Sequence, residues 1–445
     1  MDVKKTLMNR RQFLISSGVA STVALAVGVS DAKAGTATES NENSRGVIEG
    51  LVFEKPVHMP AKYPPDREPL GDMPSGGGQG GQQGGPGGAQ GGQQGGMPGG
   101  PGASRTVSGI LIEDGKYMID KSKTSAVTGG KVTDRYAQGV KIRSSDKGVG
   151  GVYVKGIGTE FTLADAAIEL EGEVSDMDSM AGGAAPNDYA TLILRNCTIT
   201  GSGKSRMATS AHGHSTLKVY NSTLTTKGAD FKTDFSTTAQ KTQLEVDGNT
   251  RTHVTVENSY SYFYYSTIIA EGWGALSTDG SDGFVYLEAD HCTIKTIKEG
   301  YGTYSDSACH NVFNSCTFDV AGMCAIMADE SDITFTDVNA KCGSYFALIH
   351  NVGSVTDIAT LKVYSGEIAT KKAAILTKSA NADILIDGAR IKTANGVLIH
   401  STISKDPGAK KKPLSRPQPC WASTRGSRTW TRWAMFCTTI MRPDP

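Results

Sequence analysis

One short pattern returns along the chain from about residue 106 to residue 405: apolar, any, apolar, any, a polar turn residue, a small residue, any, apolar. The turn position is taken in order by Asp114, Ser144, Asp165, Asn196, Asn221, Asn258, His291, Ser315, Asp337, Ser365 and Gly388, at intervals of 21 to 37 residues. Before it the apolar residues alternate, as in Leu192 and Leu194, Leu217 and Val219, or Ile333 and Phe335. Period-two alternation over so few residues means a short strand with one face buried. After the turn come a small residue and then an apolar one, as in Cys197 and Ile199, Cys292 and Ile294, or Cys316 and Phe318. Asn, Asp and Gly at the turn accept the positive φ that a sharp bend between two strands demands.

Strand, bend, strand and loop at this period describe an all-β chain wound as a parallel solenoid, each coil hydrogen-bonded to the next. The pattern resembles the right-handed parallel β-helix of the pectate-lyase-like superfamily over about 300 residues. The resemblance implies a single-chain right-handed rod of about eleven coils. At about 4.8 Å per coil such a rod is roughly 50 Å long, and its two open ends need covering, because unpaired strand edges invite aggregation.

Composition divides the rest. Residues 1–34 carry Lys4, Lys5, Arg10 and Arg11 ahead of an apolar run from Phe13 to Val29 and a small-residue cleavage pattern, Ala32-Lys33-Ala34, which reads as an export signal. Asn9-Arg10-Arg11-Gln12-Phe13-Leu14 resembles the twin-arginine transport motif, although Asn9 and Ile15 depart from it. The expected location is therefore outside the bacterial cytoplasm, periplasmic or extracellular, with no membrane span left after cleavage. Residues 35–105 contain the Gly/Gln tract that begins at Gly76 and read as a flexible linker that buries no core. Residues 406–445 lose the alternation after Lys410-Lys411-Lys412 and turn rich in Pro, Arg, Trp and Thr. This irregular tail reads as translated out of frame, with a basic disordered tail as the alternative.

Setting the two ends aside leaves 32 basic against 41 acidic residues. A surface about nine charges negative argues against nucleic acid or an anionic membrane as partner. The six cysteines outside the tail match no zinc or disulfide spacing; Cys292 and Cys316 fall at equivalent inward positions, as a disulfide or as packed thiols.

The candidate site is a near-duplication, Glu271-Gly-Trp-Gly-Ala-Leu-Ser-Thr-Asp279 and Glu299-Gly-Tyr-Gly-Thr-Tyr-Ser-Asp306. If the copies lie side by side, Glu271 pairs with Glu299, Trp273 with Tyr301 and Asp279 with Asp306, each about 5 Å apart. Two carboxylates so close do not both ionise cheaply, which is the arrangement of an acid and a nucleophile in retaining glycosidases; Ca²⁺ shared between them is the other use of such a pair. Trp273, Tyr301 and Tyr304 would then stack on sugar rings, widened by Tyr260, Tyr262, Tyr264 and Tyr265 if these share the side. The opposing account is scaffold, since Gly-aromatic-Gly bends suit solenoid corners. His212-Gly213-His214 lacks a third metal ligand. Arg390-Ile391-Lys392 echoes a polygalacturonase motif but lacks that family's accompanying acids, and Ile391 belongs to the buried positions.

The leading expectation is non-catalytic binding of polysaccharide or another cell-surface polymer along the lateral face, without a cofactor. The alternatives are a polysaccharide lyase or glycoside hydrolase using Glu271, Glu299, Asp279 and Asp306, with Lys298 as the nearest base, and a passive surface or adhesin stalk.

Overall fold

The computed structural model describes residues 51–53, 57–59, 106–174, 179–228, 250–351, 357–378, 380–402, 420–423 and 432–435. The segment expected to be an export signal, the Gly/Gln tract and Lys410-Lys411-Lys412 lie outside the described residues. Strands dominate, with only three single-turn 3-10 helices among those residues. The strands build a parallel β-solenoid of about nine turns.

Three parallel ladders run the length of the rod. The first carries Glu160–Ala164, Thr191–Arg195, Thr216–Tyr220 and Tyr260–Tyr264 in unshifted register, so that Phe161, Leu192, Leu217 and Ser261 stack on one another. It continues through the later halves of Gly274–Asp290 and Tyr301–Asn314. The second follows the bend, with Ile168, Ile199, Leu224, Ile268 and Ile294 in one row. The third includes Arg251–Val256, the first halves of those two long strands, Met323–Ala328, Ala347–His350 and Ile375–Lys378. Inward side chains from all three ladders form one apolar cluster, in which Phe313 and Phe335 stack at 5.2 Å.

The bend residues behave as the turn chemistry requires. Asp165, Asn196, Asn221, His291, Ser315, Asp337, Ser365 and Gly388 all have φ between 47° and 73°. Three of the expected turn positions belong elsewhere. Asp114 follows the third ladder, its N–H bonded to the Lys155 carbonyl. Ser144 is the end of a second-ladder strand. Asn258 closes a third-ladder strand, and the bend of that coil is at Tyr265, φ 51°. A further bend, at Gly139 with φ 66°, joins Tyr136–Gln138 to Lys141–Ser144 and was not among the expected positions, and the rod has about nine turns in place of the eleven expected. The error at Asn258 arose because Val254 and Val256 copy the alternation of a first-ladder strand, while the true strand hides its pattern behind tyrosines. At such a bend a β-branched residue is strained by roughly 1–2 kcal/mol. Asn221→Val is therefore expected to lower the urea midpoint by about that stability, and Asn221→Gly to leave it nearly unchanged.

Two inward slots of the first ladder are polar. Ser261 occupies the row of Leu217 and Leu287 and accepts a hydrogen bond from the Thr255 hydroxyl at 2.8 Å. Asn311 sits between Leu287 and Ile333 and donates to Thr278 and Thr303 at 3.0 and 3.2 Å. Threonines facing inward from the third ladder supply the partners that make these buried polar groups tolerable.

The linker assigned to residues 35–105 is interrupted. Leu51–Val52 and Val57–Met59 are strands, paired antiparallel with Arg390–Thr393 and Asn381–Asp387 of the last coil. Leu51 and Phe53 carry enough apolar surface to join the core, which the Gly/Gln character of the surrounding segment hid. The tail expected to be irregular contains an antiparallel hairpin, Cys420–Ser423 with Arg432–Met435.

Candidate functional site

The duplicated stretch forms the start of two neighbouring third-ladder strands. Gly274 registers with Tyr301, Ser277 with Tyr304 and Asp279 with Asp306. Asp279 and Asp306 are thus matched on adjacent coils, as expected, but Trp273 and Tyr301 are offset by one residue and meet edge to face at 6.4 Å. Glu271 faces Lys298 rather than Glu299: its carboxylate accepts from the Lys298 ammonium at 2.6 Å and from the Gly228 N–H at 2.6 Å. These two bonds, that from Lys298 first, hold its pKa below the usual value. Glu299 is the next residue on, half-buried. Glu271 is thus held in an acid-lysine pair with Lys298 of the next coil.

Inward from this strand point Leu276, Thr278, Thr303 and Ser305, so Asp279, Tyr304 and Asp306 point away from the interior. They are nevertheless buried, with 8%, 7% and 6% of their surfaces exposed. Trp273, Tyr301 and Tyr304 join Met323, Ile326, Leu348 and Leu376 in a second apolar cluster. The Arg251 guanidinium lies 4.8 Å from the Trp273 ring centroid. Tyr301 packs flat against Gly274, where a Cβ would collide with the ring, and Gly300 backs onto the Trp273 carbonyl. The glycines of the duplication thus serve close packing, and the three aromatics form no open platform.

Asp306 is the most perturbed acid of the stretch. Its carboxylate accepts from the Tyr304 hydroxyl at 2.8 Å and the Ser307 hydroxyl at 3.0 Å. Burial, and then the charge of Asp279, raise its pKa to about 7. Burial likewise lifts the Tyr304 phenol well above its ordinary value. Asp279 accepts the Ser281 N–H at 3.0 Å.

The open surface lies on another face. In the first ladder Ser261 and Phe263 point inward, which turns Tyr260, Tyr262 and Tyr264 outward together. Around them a continuous file of side chains crosses seven coils. The Arg195 guanidinium lies 4.5 Å from the Tyr220 centroid, and Tyr220 stacks on Tyr264 at 5.2 Å. Tyr264 and Tyr286 donate their hydroxyls to the two oxygens of Glu288, at 3.3 and 2.8 Å. Tyr286 stacks on His310 at 5.7 Å, His310 lies 3.5 Å from Asp332, and Lys362 bonds Asp332 at 3.1 Å. Burial and then the Glu288 charge raise the Tyr264 phenol to about 12, and burial with the Glu288 hydrogen bond lifts that of Tyr286 also. Tyr265 stacks on His291 beside the file, 63% exposed, and Phe284 is 48% exposed. Six coil steps of about 4.8 Å make the file roughly 30 Å long.

The tyrosines from 260 to 265 were visible in the sequence, but their common face was not, because their strand was assigned to the wrong ladder. Tyr286, Glu288, His310 and Asp332 were missed altogether, although each stands next to an inward residue, Leu287, Asn311 or Ile333, and strand alternation therefore places it outward.

The remaining motifs are structural. His212 is buried, which lowers its pKa to about 4, while His214 stacks on Tyr189 at 4.6 Å. The two imidazoles of the His-Gly-His motif therefore diverge. Among the described residues no group of three or more His, Cys, Asp or Glu is placed to ligate a metal. Cys292 and Cys316 are free buried thiols, each bonded to a carbonyl of the preceding coil at 3.3 Å. Ile391 is buried, as its place in the template required. Among the described residues no helix is long and apolar enough to cross a membrane. No protein-family model, curated protein or solved structure matches the chain.

Proposed function

We propose that the protein is an exported, right-handed parallel β-helix of pectate-lyase-like kind that binds polysaccharide or another surface polymer along the outer face of its first ladder. The observation that carries this reading is the file from Arg195 to Lys362, an extended row of half-exposed tyrosines flanked by charged hydrogen-bonding groups. Aromatic faces with a polar rim suit sugar rings, which present an apolar face and a girdle of hydroxyls. Tyr220, Tyr264 and Tyr286 stand on three successive coils about 4.8 Å apart, close to the length of one pyranose unit, so a linear glycan laid along the axis meets an aromatic ring at each of those coils. The excess of acidic residues favours a neutral or basic polymer over a polyuronate.

A glycan array probed with the protein tests this. Binding to linear glycans that disappears in Tyr262→Ala/Tyr286→Ala, with the fold intact by circular dichroism, is the expected outcome. Equal binding by both proteins, or none by either, contradicts the proposal.

A second reading rests on Asp279 and Asp306, matched carboxylates with one raised to about 7. Such a pair has the protonation states that a glycoside hydrolase or polysaccharide lyase uses. Release of reducing ends or unsaturated product, lost in Asp279→Asn, supports it; their burial weighs against it.

A further inference from the structure

The last coil ends in a strand edge that is filled from the opposite end of the chain. Leu51 and Val52 register with Ile391 and Arg390, and Val57, His58 and Met59 with Ile386, Leu385 and Ile384. Between them the Phe53 N–H donates to the Ala389 carbonyl at 3.0 Å, and Gly388 donates to the Phe53 carbonyl. Residues 51–53 and 57–59 thus pair with the strands on either side of the last bend, antiparallel where the coil-to-coil pairings are parallel. Leu51 and Phe53 close the end of the apolar interior at 4% and 3% exposure. Main-chain pairing supplies the affinity in such strand addition, and pockets for alternate side chains supply the specificity.

We propose that the last coil is a strand-accepting end whose partner is residues 51–59 of this chain, taken in cis in the structure and from a second copy when the cis route is barred. The contacts depend on register and on two apolar side chains, and no covalent connection enters them. Residues 60–106 join this segment to the first described strand of the rod, at Val107. Fully extended they reach on the order of 150 Å, whereas about nine coils span roughly 40 Å, so the cis route is open. Exchange of the same element between copies keeps every contact and adds only the cost of association. Each rod then donates its segment to the next, giving a ring or an open chain of rods.

Two measurements on the full chain test this. In Phe53→Asp the segment loses its anchor and the end is exposed. A fluorescent peptide of residues 48–60 is expected to bind this variant at least tenfold more tightly than the unsubstituted protein, whose end is occupied. Deleting residues 65–103 leaves a connection that reaches no more than about 30 Å, shorter than the rod. Light scattering is expected to give a dimer or larger species for this variant, and a monomer when Phe53→Asp is added. Equal peptide binding by Phe53→Asp and the unsubstituted protein, or a folded monomer from the shortened chain alone, overturns the proposal.

Discussion

Replacing Arg206 by methionine is expected to lower the stability of the rod by about 4 kcal/mol or more, read as a fall in the urea midpoint. Arg206 is fully buried, and its guanidinium donates to the carbonyls of Val149 at 2.8 Å, Ala181 at 2.7 Å, Glu171 at 2.9 Å, Gly172 at 3.1 Å and Lys147 at 3.4 Å. Those carbonyls belong to three separate stretches, at 147–149, 171–172 and 181, so one side chain ties together neighbouring parts of the rod. Methionine fills much of the volume but strands the buried carbonyls of Val149 and Ala181, and each orphaned buried acceptor costs about 1–3 kcal/mol. Lysine is not expected to rescue the variant, because a point charge on a flexible stem cannot reproduce a five-donor fork. A loss below about 1 kcal/mol would mean that the loops find other partners.

Asp306→Asn is expected to stabilise the protein at pH 8 and to do little at pH 4. The raised value of Asp306, about 7, lies above the roughly 3.9 of an unfolded aspartate. Between those two values the native state holds a proton that the unfolded chain has released. Stability therefore falls as pH rises through that window, and the loss is complete above about pH 7. A shift of about three units corresponds to roughly 4 kcal/mol at most. Asparagine keeps one acceptor for the Tyr304 or Ser307 hydroxyl but not both, so a net gain on the order of 2 kcal/mol at pH 8 is the expected result. Thermal melts of the two proteins between pH 4 and 8 check it. Parallel curves would show that Asp306 titrates as an ordinary carboxyl.

The solenoid was legible because its rules are local. Alternation before the bend, a residue tolerant of positive φ at it and a small residue after it all fall within eight positions, and the eight bend residues of the pattern from Asp165 to Gly388 lie where it placed them. Legibility failed where a strand broke its own alternation. Tyr260–Tyr264 presents tyrosines at the outward positions and a serine at an inward one, so its pattern looked less like a buried strand than Val254–Val256 did. The candidate site suffered from a different ambiguity. Glu and Asp are eight residues apart in the first copy of the duplication and seven in the second, so registering the aspartates necessarily takes the glutamates out of register. That one-residue difference was present in the sequence, but which pair would keep register depended on the ladder. The capping by Leu51 and Phe53 links residues more than 300 positions apart through backbone pairing, and no local pattern announces such a contact.

The most direct test of the account compares two sets of variants against one glycan that the protein binds. In isothermal titration, Tyr262→Ala/Tyr286→Ala is expected to weaken binding at least a hundredfold, while Trp273→Phe/Asp279→Asn leaves it within about twofold. The opposite result, with affinity lost through Trp273 and Asp279 and kept without Tyr262 and Tyr286, would contradict the assignment of the first-ladder face as the binding surface and return the site to the duplicated stretch.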